Sequence, residues 1–231
     1  MKDLAVIVPA AGSGVRFGAQ IPKPFIKLSG KAILYYTLSS FVELKNVSQI
    51  IVATSKNWLD EVEKIFREIN SSNVRLEVVE GGRERQFSIQ NALVKVNDTI
   101  ELIAVHDAVR PFVKAEFVYE CCKTAREYGG AVLGIPANDT IKKVNDRQVI
   151  SETPDRTLLW QAQTPQIFQK KLLFDAYNSA MKNGFIGTDD ASLVERIGGT
   201  IKMVEGGREN LKITYPLDLK IAELILTGGG L

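Results

Sequence analysis

Short apolar runs alternate with helix-length segments from the first residues of this chain, and this order limits the fold more than any other feature. The runs are almost continuously apolar, which is typical of strands that are buried on both faces of a parallel sheet. We therefore predict an α/β fold with a doubly wound, mostly parallel sheet, in which ligands bind at the carboxyl ends of the strands. The predicted strands are Leu4–Val8, Gln49–Ala53, Val74–Val79, Leu102–His106 and Ala131–Ile135.

Two segments between and after these runs have clear helical periodicity. In Trp58–Ile69, apolar residues recur at the spacing of one buried helix face. Pro216–Leu226 begins with a proline suited to a first helical turn. The residues expected on its one apolar side are Leu217, Ile221, Leu224 and Ile225. We predict a helix over each segment.

Composition limits the classes of protein and of partner. The 231 residues are 45% hydrophobic, enough for one sizeable core, so we expect a single domain over residues 1–231. The net charge is only +2, which predicts neither a nucleic-acid nor a membrane partner. The single histidine, His106, excludes a zinc site built from several histidines and argues against a Ser-His-Asp triad.

The two cysteines bear on the compartment. Cys121 and Cys122 are adjacent in a predicted helix, where they are poorly placed to pair with each other. Unpaired cysteines are typical of a reducing compartment, and the sequence contains neither a signal-peptide pattern nor an apolar run of membrane-spanning length. We expect a cytoplasmic protein.

The first predicted strand opens into a loop of small residues, PAAGSGVRFG, and Lys23 follows it closely. Small residues let backbone N–H groups approach a phosphate chain, and Arg16 and Lys23 could neutralise its charge. The spacing fits neither a P-loop nor a dinucleotide fingerprint. The loop predicts a nucleoside triphosphate site; taken alone, its glycines would also suit a plain strand-to-helix turn.

A polar stretch interrupts the alternation at Asn138–Thr153. Its short apolar alternations predict a hairpin with Asp146 and Arg147 at the tip, within an arm of about residues 137–156 that projects from the sheet. The hexapeptide VEGGRE occurs twice, at 79–84 and 204–209, each time after a strand-like run. We expect both copies to leave the sheet at its ligand-binding edge.

Two segments could carry chemistry at that edge. Gly81 and Gly82 allow a close approach to a ligand, and Ser88 lies near the start of the helix that follows, as a ligand contact or as an ordinary helical residue. Asp107 follows the fourth predicted strand, where it could approach a metal-bound triphosphate or a substrate hydroxyl. Equally, it could be a turn aspartate held by Arg110. We predict no catalytic role for His106.

Further polar residues lie in less regular segments. Gly187–Ser192 is typical of a helix cap, and Lys212 lies in a strand-like alternation where a lysine is usually solvated. Spacing alone assigns no function to Thr140, Arg156, Thr188 or Lys212.

Taken together, the motifs resemble the 2-C-methyl-D-erythritol 4-phosphate cytidylyltransferases of the non-mevalonate isoprenoid pathway. The resemblance runs from Val8 to Leu219, and Pro24 departs from it because the family more usually has Gln there. The motifs that carry it are PAAGSGVRFG with PK, GGRERQFSIQNAL, VHDAVRPF, NDTIK, RTLLWQAQTPQIF, GTDDAS and NLKITYPLDL.

This resemblance implies a reaction in which CTP and methylerythritol phosphate give a CDP-linked alcohol and pyrophosphate, with Mg²⁺ held mainly by substrate phosphates. Because the attacking phosphate oxygen is already anionic, no protein base is needed, and catalysis consists of positioning and charge neutralisation. By analogy, Arg16 and Lys23 stabilise the transition state, Arg156 and Lys212 position the acceptor phosphate, and Asp107, Thr140 and Thr188 lie near the acceptor. The CTP-binding residues would be Pro9, Ala10, Ala11, Gly12, Ser13, Gly14, Gly82, Ser88 and Ala108.

The resemblance also implies a homodimer whose exchanged arm carries Arg156 into the partner's active site. A solvated hairpin on a monomer is the alternative. The acceptor could instead be ribitol 5-phosphate, although Trp160 and the TDDAS run favour methylerythritol phosphate. A nucleotide-binding regulator without turnover is a third reading, which the presence of both Arg16 and Lys23 disfavours.

Overall fold

The computed structural model of the chain describes residues 2–12 and 21–228, and its centre is a seven-stranded sheet. The strands are ordered β11-β7-β10-β6-β1-β4-β5 across the sheet. Their bounds are β1 Leu4–Pro9, β4 Val47–Thr54, β5 Arg75–Glu80, β6 Leu102–Val105, β7 Gly130–Pro136, β10 Trp160–Gln169 and β11 Ile201–Glu205. The short strands β2 Lys27–Leu28 and β3 Lys31–Ala32 form one hairpin, and β8 Lys143–Val144 and β9 Ile150–Glu152 another.

The sheet is mostly parallel, as predicted, and each predicted strand is present with small shifts at its ends. The exception in direction is β10, which pairs antiparallel with both β6 and β7. Strand β10 was not predicted, and β11 was anticipated only as the strand-like run before the second VEGGRE copy. The first three residues of β10 are exposed and the buried residues that follow include Gln163 and Thr164, so β10 lacks the apolar run that marks the others.

Helices cover both faces of the sheet, which confirms the doubly wound prediction. Leu4, Val6 and Val8 of β1 face a core formed with α1, α2 and α4, whereas Ala5 and Ile7 face a second core formed with α3, α5 and α6. This alternation follows from the two-residue period of a strand. The helices are α1 Ile33–Val42, α2 Leu59–Ile69, α3 Arg85–Leu93, α4 Ala115–Tyr128, α5 Lys170–Lys182, α6 Asp190–Arg196 and α7 Pro216–Leu226.

Helix α7 has the predicted bounds, but its buried side differs from the expected one. Leu217 and Leu224 are 66% and 53% exposed. Instead, Ala222 is fully buried and Leu219 and Leu226 pack beside it, against a small third cluster of apolar residues. The helix is apolar over a wide arc, so its sequence pattern alone could not select the packed side.

The polar stretch forms the predicted hairpin from β8 and β9, with Asp146 and Arg147 in the turn. The Asn145 side chain accepts hydrogen bonds from the backbone N–H groups of Arg147 and Val149, which fixes that turn. Val149 and Ile150 are each 59% exposed. The hairpin therefore projects from the sheet and leaves apolar side chains uncovered within this chain.

Two predictions from composition can be compared with the described residues. Cys121 and Cys122 are free and buried in α4, as predicted. In the ranges 2–12 and 21–228, no helix combines the length and apolar character needed to cross a membrane.

Candidate active site

A cavity of about 670 Å³ lies at the carboxyl edge of the sheet, where the loops after β1, β5 and β6 meet the segment before α7. This is the edge at which a doubly wound sheet binds its ligands. The structure gathers most of the predicted site residues there. Lining the cavity are Pro9, Ala10, Ala11, Gly12, Lys23, Gly82, Ser88, Asp107, Ala108 and Lys212.

Three predicted residues, Ser13, Gly14 and Arg16, lie outside the described residues, and their roles stay predictions. Lys23, which is described, begins a short 3₁₀ helix with Pro24 and Phe25. Proline suits a first helical turn because no backbone donor is needed there, so Pro24 is accommodated without loss of a hydrogen bond. Phe25 stacks on Trp58 with ring centroids 4.3 Å apart, which anchors Lys23 at the cavity.

Thr140, Arg156 and Thr188 are exposed and do not line this cavity. The Arg156 guanidinium instead donates a hydrogen bond of 2.8 Å to the backbone carbonyl of Asn138, at the base of the arm. Thr188 precedes α6, whose predicted cap is present. Within one chain, only Asp107 and Lys212 of the residues predicted to bind the acceptor line the cavity.

The turn after β5 is held tightly against the loop after β1. The Gly81 N–H donates to the carbonyl of Thr54 at 2.7 Å, and a Cβ on Gly81 would lie 2.6 Å from the Cβ of Ala11. The Ser88 hydroxyl accepts the N–H of Gly82 at 3.1 Å, so it fixes the cavity wall from inside α3. The second VEGGRE copy leaves β11 at the same edge, but only the first lines the cavity.

Asp107 is the centre of charge in the site. Its carboxylate lies 2.9 Å from the Lys212 ammonium, 3.3 Å from the Arg110 guanidinium and 3.7 Å from that of Arg85. Burial would raise the pKa of Asp107, but Lys212, Arg85 and Arg110 outweigh it and hold the pKa well below its usual range. The pairing of Asp107 with Arg110 that the sequence suggested is thus present, and Lys212 and Arg85 lie beside the same carboxylate.

The strand-like alternation around Lys212 does not form a strand, and Lys212 itself is exposed at the cavity. The Ile213 N–H donates to the Val109 carbonyl at 2.9 Å. This bond draws the segment against the loop after β6 and places Lys212 beside Asp107. The resemblance assigns Lys212 to the site, but spacing in the sequence gives no sign of this contact with Asp107.

His106 is fully buried and holds the same loop from beneath. Its Nε2 lies 3.0 Å from the Arg110 carbonyl, which can only accept, so Nε2 carries the proton. Nδ1 then accepts from the Thr164 hydroxyl at 3.2 Å. Burial lowers the pKa of His106 to about 4, so the ring is neutral near pH 7. Both ring nitrogens are engaged, as expected of a structural histidine.

Sequence reasoning missed Arg85, Thr164 and Asn210. Arg85 lines the cavity from the first turn of α3, within a motif in which only the glycines and the serine were considered. The buried Asn210 amide donates to Gln163 and to the Thr164 carbonyl, and the Asn210 carbonyl accepts from Arg110 at 2.7 Å. The motifs around Thr164 and Asn210 were visible, but nothing in them indicated this shared contact.

Carboxylates are scarce as metal ligands here. Among residues 2–12 and 21–228, no group of three or more His, Cys, Asp or Glu side chains could hold a metal ion. Asp107, in the cavity wall, is already matched by three cations. These donors do not form a protein metal cage, whereas they are compatible with a metal whose ligands come mainly from substrate phosphates.

A doubly wound sheet with a cation-bearing cavity at its carboxyl edge defines the class as a nucleotide-binding α/β enzyme, and comparison with known proteins gives the family. The family model for IspD, 2-C-methyl-D-erythritol 4-phosphate cytidylyltransferase, matches residues 4–228. The chain therefore belongs to this family, which is a family of nucleotidyltransferases.

Individual relatives agree with the family match. The cytidylyltransferase of Clostridioides difficile is 47% identical over 96% of this chain and 93% of its own length. That of Caldanaerobacter subterraneus is 40% identical over 97% and 99%. The crystal structure of 4-diphosphocytidyl-2C-methyl-D-erythritol synthase from Anaerococcus prevotii superposes with a TM-score of 0.87 at 28% identity, covering 98% of this chain and 96% of that one.

Proposed function

We propose that this chain transfers the cytidylyl group of CTP to 2-C-methyl-D-erythritol 4-phosphate. The single observation that carries the proposal is the cavity: every described residue predicted to bind CTP lines it, together with Lys23, Asp107 and Lys212. Family membership supports the same activity. The names of the relatives above favour methylerythritol phosphate over ribitol phosphate as the acceptor.

The reaction forms one bond and breaks one bond at the α-phosphorus of CTP. An oxygen of the acceptor phosphate bonds to this phosphorus as its bond to the bridging oxygen of pyrophosphate breaks. The attacking oxygen already carries negative charge, so no side chain has to remove a proton. His106 could not do so in any case, because it is buried with both nitrogens hydrogen-bonded.

The protein contributes placed positive charge. In this proposal Lys23, with Arg16, stabilises the charge that grows on the leaving pyrophosphate. Lys212 lies at the cavity and is 45% exposed, so its ammonium can contact an acceptor phosphate while Asp107 holds it in place at 2.9 Å. The loop after β1 and the turn after β5 would bind CTP through their backbone groups.

Mg²⁺ is proposed as the cofactor. When bound, it would neutralise part of the triphosphate charge and help to orient the phosphates for in-line attack. Its ligands would be mainly phosphate oxygens, because Asp107 is committed to the cations around it.

The working enzyme is proposed to be a homodimer with shared sites, each chain being one catalytic domain with an arm at about residues 137–156. Two observations support this: the hairpin exposes Val149 and Ile150, and Thr140 and Arg156 lie away from their own cavity. An exchanged arm would bring Arg156 of the partner subunit to the acceptor. We propose a cytoplasmic location, consistent with free, buried cysteines, and no nucleic-acid or membrane partner.

Pyrophosphate release from CTP tests the activity, with methylerythritol phosphate and ribitol phosphate compared as acceptors. We expect metal-dependent turnover that is faster with methylerythritol phosphate. Faster turnover with ribitol phosphate would assign the chain to the alternative acceptor. Binding of CTP without turnover on either acceptor would indicate a regulator, and equal turnover in excess chelator would rule out the metal.

A further inference from the structure

Asp190 is a completely buried carboxylate that the helix it begins does not require. Helix α6 is already capped by Asp189, whose side chain accepts from the backbone N–H of Ser192. Burying a second carboxylate beside this cap is costly unless the charge is paired. The partners of Asp190 are the Arg85 guanidinium at 2.8 Å and the Tyr177 hydroxyl at 2.6 Å.

Arg85 thus lies between two carboxylates. Its Nη2 contacts Asp190, while its Nε is 3.7 Å from Oδ1 of Asp107. The other oxygen of Asp107, Oδ2, holds Lys212 at 2.9 Å and Arg110 at 3.3 Å. The close ion pair is with Asp190, and the contact with Asp107 is the looser one.

The ion pair between Arg85 and Asp190 protects the contact between Lys212 and Asp107. A guanidinium can bind both oxygens of one carboxylate in a fork, which an ammonium cannot match. If Asp190 carried no charge, Arg85 would be drawn towards Asp107, the other carboxylate it faces, and would compete with Lys212. The Asp190 carboxylate therefore holds back a competitor for Asp107.

Tyr177 fixes the carboxylate that does this. It is 2% exposed, and its hydroxyl donates to Oδ1 of Asp190, which leaves Oδ2 directed at Arg85. Burial and the neighbouring Asp190 charge raise the pKa of Tyr177, so the hydroxyl stays protonated and remains a donor. Tyr177 of α5 and Asp190 of α6, two helices of the second core, thereby orient the ion pair with Arg85 at the cavity.

We propose that Asp190 and Tyr177 are positioning residues that hold Arg85 away from Asp107 and so preserve the Asp107–Lys212 contact during catalysis. The inference rests on the proposed role of Lys212. It adds to the residues proposed to contact substrate a series of contacts that runs from Tyr177 through Asp190 to Arg85 in the cavity wall.

The first test compares Asp190→Asn with Asp3→Asn. Both replace a buried carboxylate that pairs with an arginine, but Asp3 pairs with Arg126 at 2.6 Å, just before β1 and at the opposite edge of the sheet. We expect Asp190→Asn to lower kcat by about ten- to a hundredfold, with the Kd for CTP changed by less than about twofold. Asp3→Asn should keep the kcat of the unmodified enzyme.

The second test asks whether Asp190 acts through Lys212. Asp190→Asn is introduced into Lys212→Ala, and we expect little further loss of kcat because the contact it protects is already gone. Tyr177→Phe should cause a smaller loss that also disappears in Lys212→Ala, and it serves as the test if Asp190→Asn does not fold. If the loss of kcat in the double variant is the product of the two single losses, the inference is wrong. Equal kcat for Asp190→Asn and Asp3→Asn would also overturn it. Full activity of Lys212→Ala alone would overturn the role of Lys212 and the inference with it.

Discussion

The Thr164 hydroxyl accepts the backbone N–H of Asp107 at 3.0 Å, so strand β10 holds the loop that presents the buried carboxylate of the site. The same hydroxyl donates to His106, which in turn donates to the Arg110 carbonyl. The donor and the acceptor are therefore fixed in each of these three hydrogen bonds. The loop after β6 is therefore preorganised before any substrate binds.

Removing the Thr164 hydroxyl should loosen this loop. Thr164→Val leaves the Asp107 N–H and His106 Nδ1 without partners, and a buried unpaired group costs about 1–3 kcal/mol. We expect a loss of that size in the free energy of unfolding, measured in urea, together with a lower kcat. Thr124→Val, at a buried position in α4, is the matched control and should keep its activity.

His106 should make stability depend on pH in a range where few other groups titrate. Its pKa is about 4 in the folded protein against 6.5 for an unperturbed histidine, so the unfolded chain binds a proton first as the pH falls. Stability is complete above the unfolded pKa, and we expect a loss of about 2 kcal/mol between about pH 7.5 and about pH 5.

The measurement is the free energy of unfolding at several pH values, with His106→Gln as the comparison. Since the chain has one histidine, the variant should show a nearly flat profile over this interval. An equal slope in both proteins would mean that the folded His106 is not held neutral.

Gly81 should tolerate no side chain because of the close approach between two loops. In Gly81→Ala, the new Cβ would lie 2.6 Å from the Cβ of Ala11 and 2.9 Å from the Ser88 hydroxyl. We expect weaker CTP binding by calorimetry. Adding Ala11→Gly removes one of the two clashes and should restore part of the affinity; no recovery would place the main conflict at Ser88.

Lys23→Ala should reduce kcat far more than it weakens CTP binding, because the charge on the leaving group is greatest in the transition state. The loss of such a contact costs about 2.7–4 kcal/mol, or about a hundred- to a thousandfold in kcat. Lys123→Ala, on the exposed side of α4, is the control and should be fully active. A rise in KM with unchanged kcat would instead make Lys23 a binding residue.

Mixing two inactive variants tests the shared site. In a dimer of Lys23→Ala with Arg156→Ala, an arm that acts in the partner places both lesions in one site and leaves the other intact. After random exchange half of the dimers are mixed, so activity should recover to about a quarter of that of the unmodified enzyme. With exchange verified by mass spectrometry, no recovery would mean that Arg156 acts within its own subunit.

Local sequence was enough to predict the strands and helices in which buried residues follow a regular pattern. The core strands could be predicted from their apolar runs, and α2 from the regular recurrence of its buried residues, such as Val62, Ile65 and Phe66, between exposed ones. Strand β10 escaped prediction because its first three residues are exposed and its buried residues include the polar Gln163 and Thr164. The loop residues that line the cavity could be predicted because small residues and cations are local signals.

The pairings within the site were decided only by the tertiary structure. Lys212 meets Asp107 because the Ile213 N–H bonds to Val109, and Arg85 meets Asp190 because α3 and α6 share one face of the sheet. The sequence contains each of these charges but no spacing that relates them. Side chains far apart in a chain come together only through the order of strands and the packing of helices, and charge pairing then depends on distances that only the folded core sets.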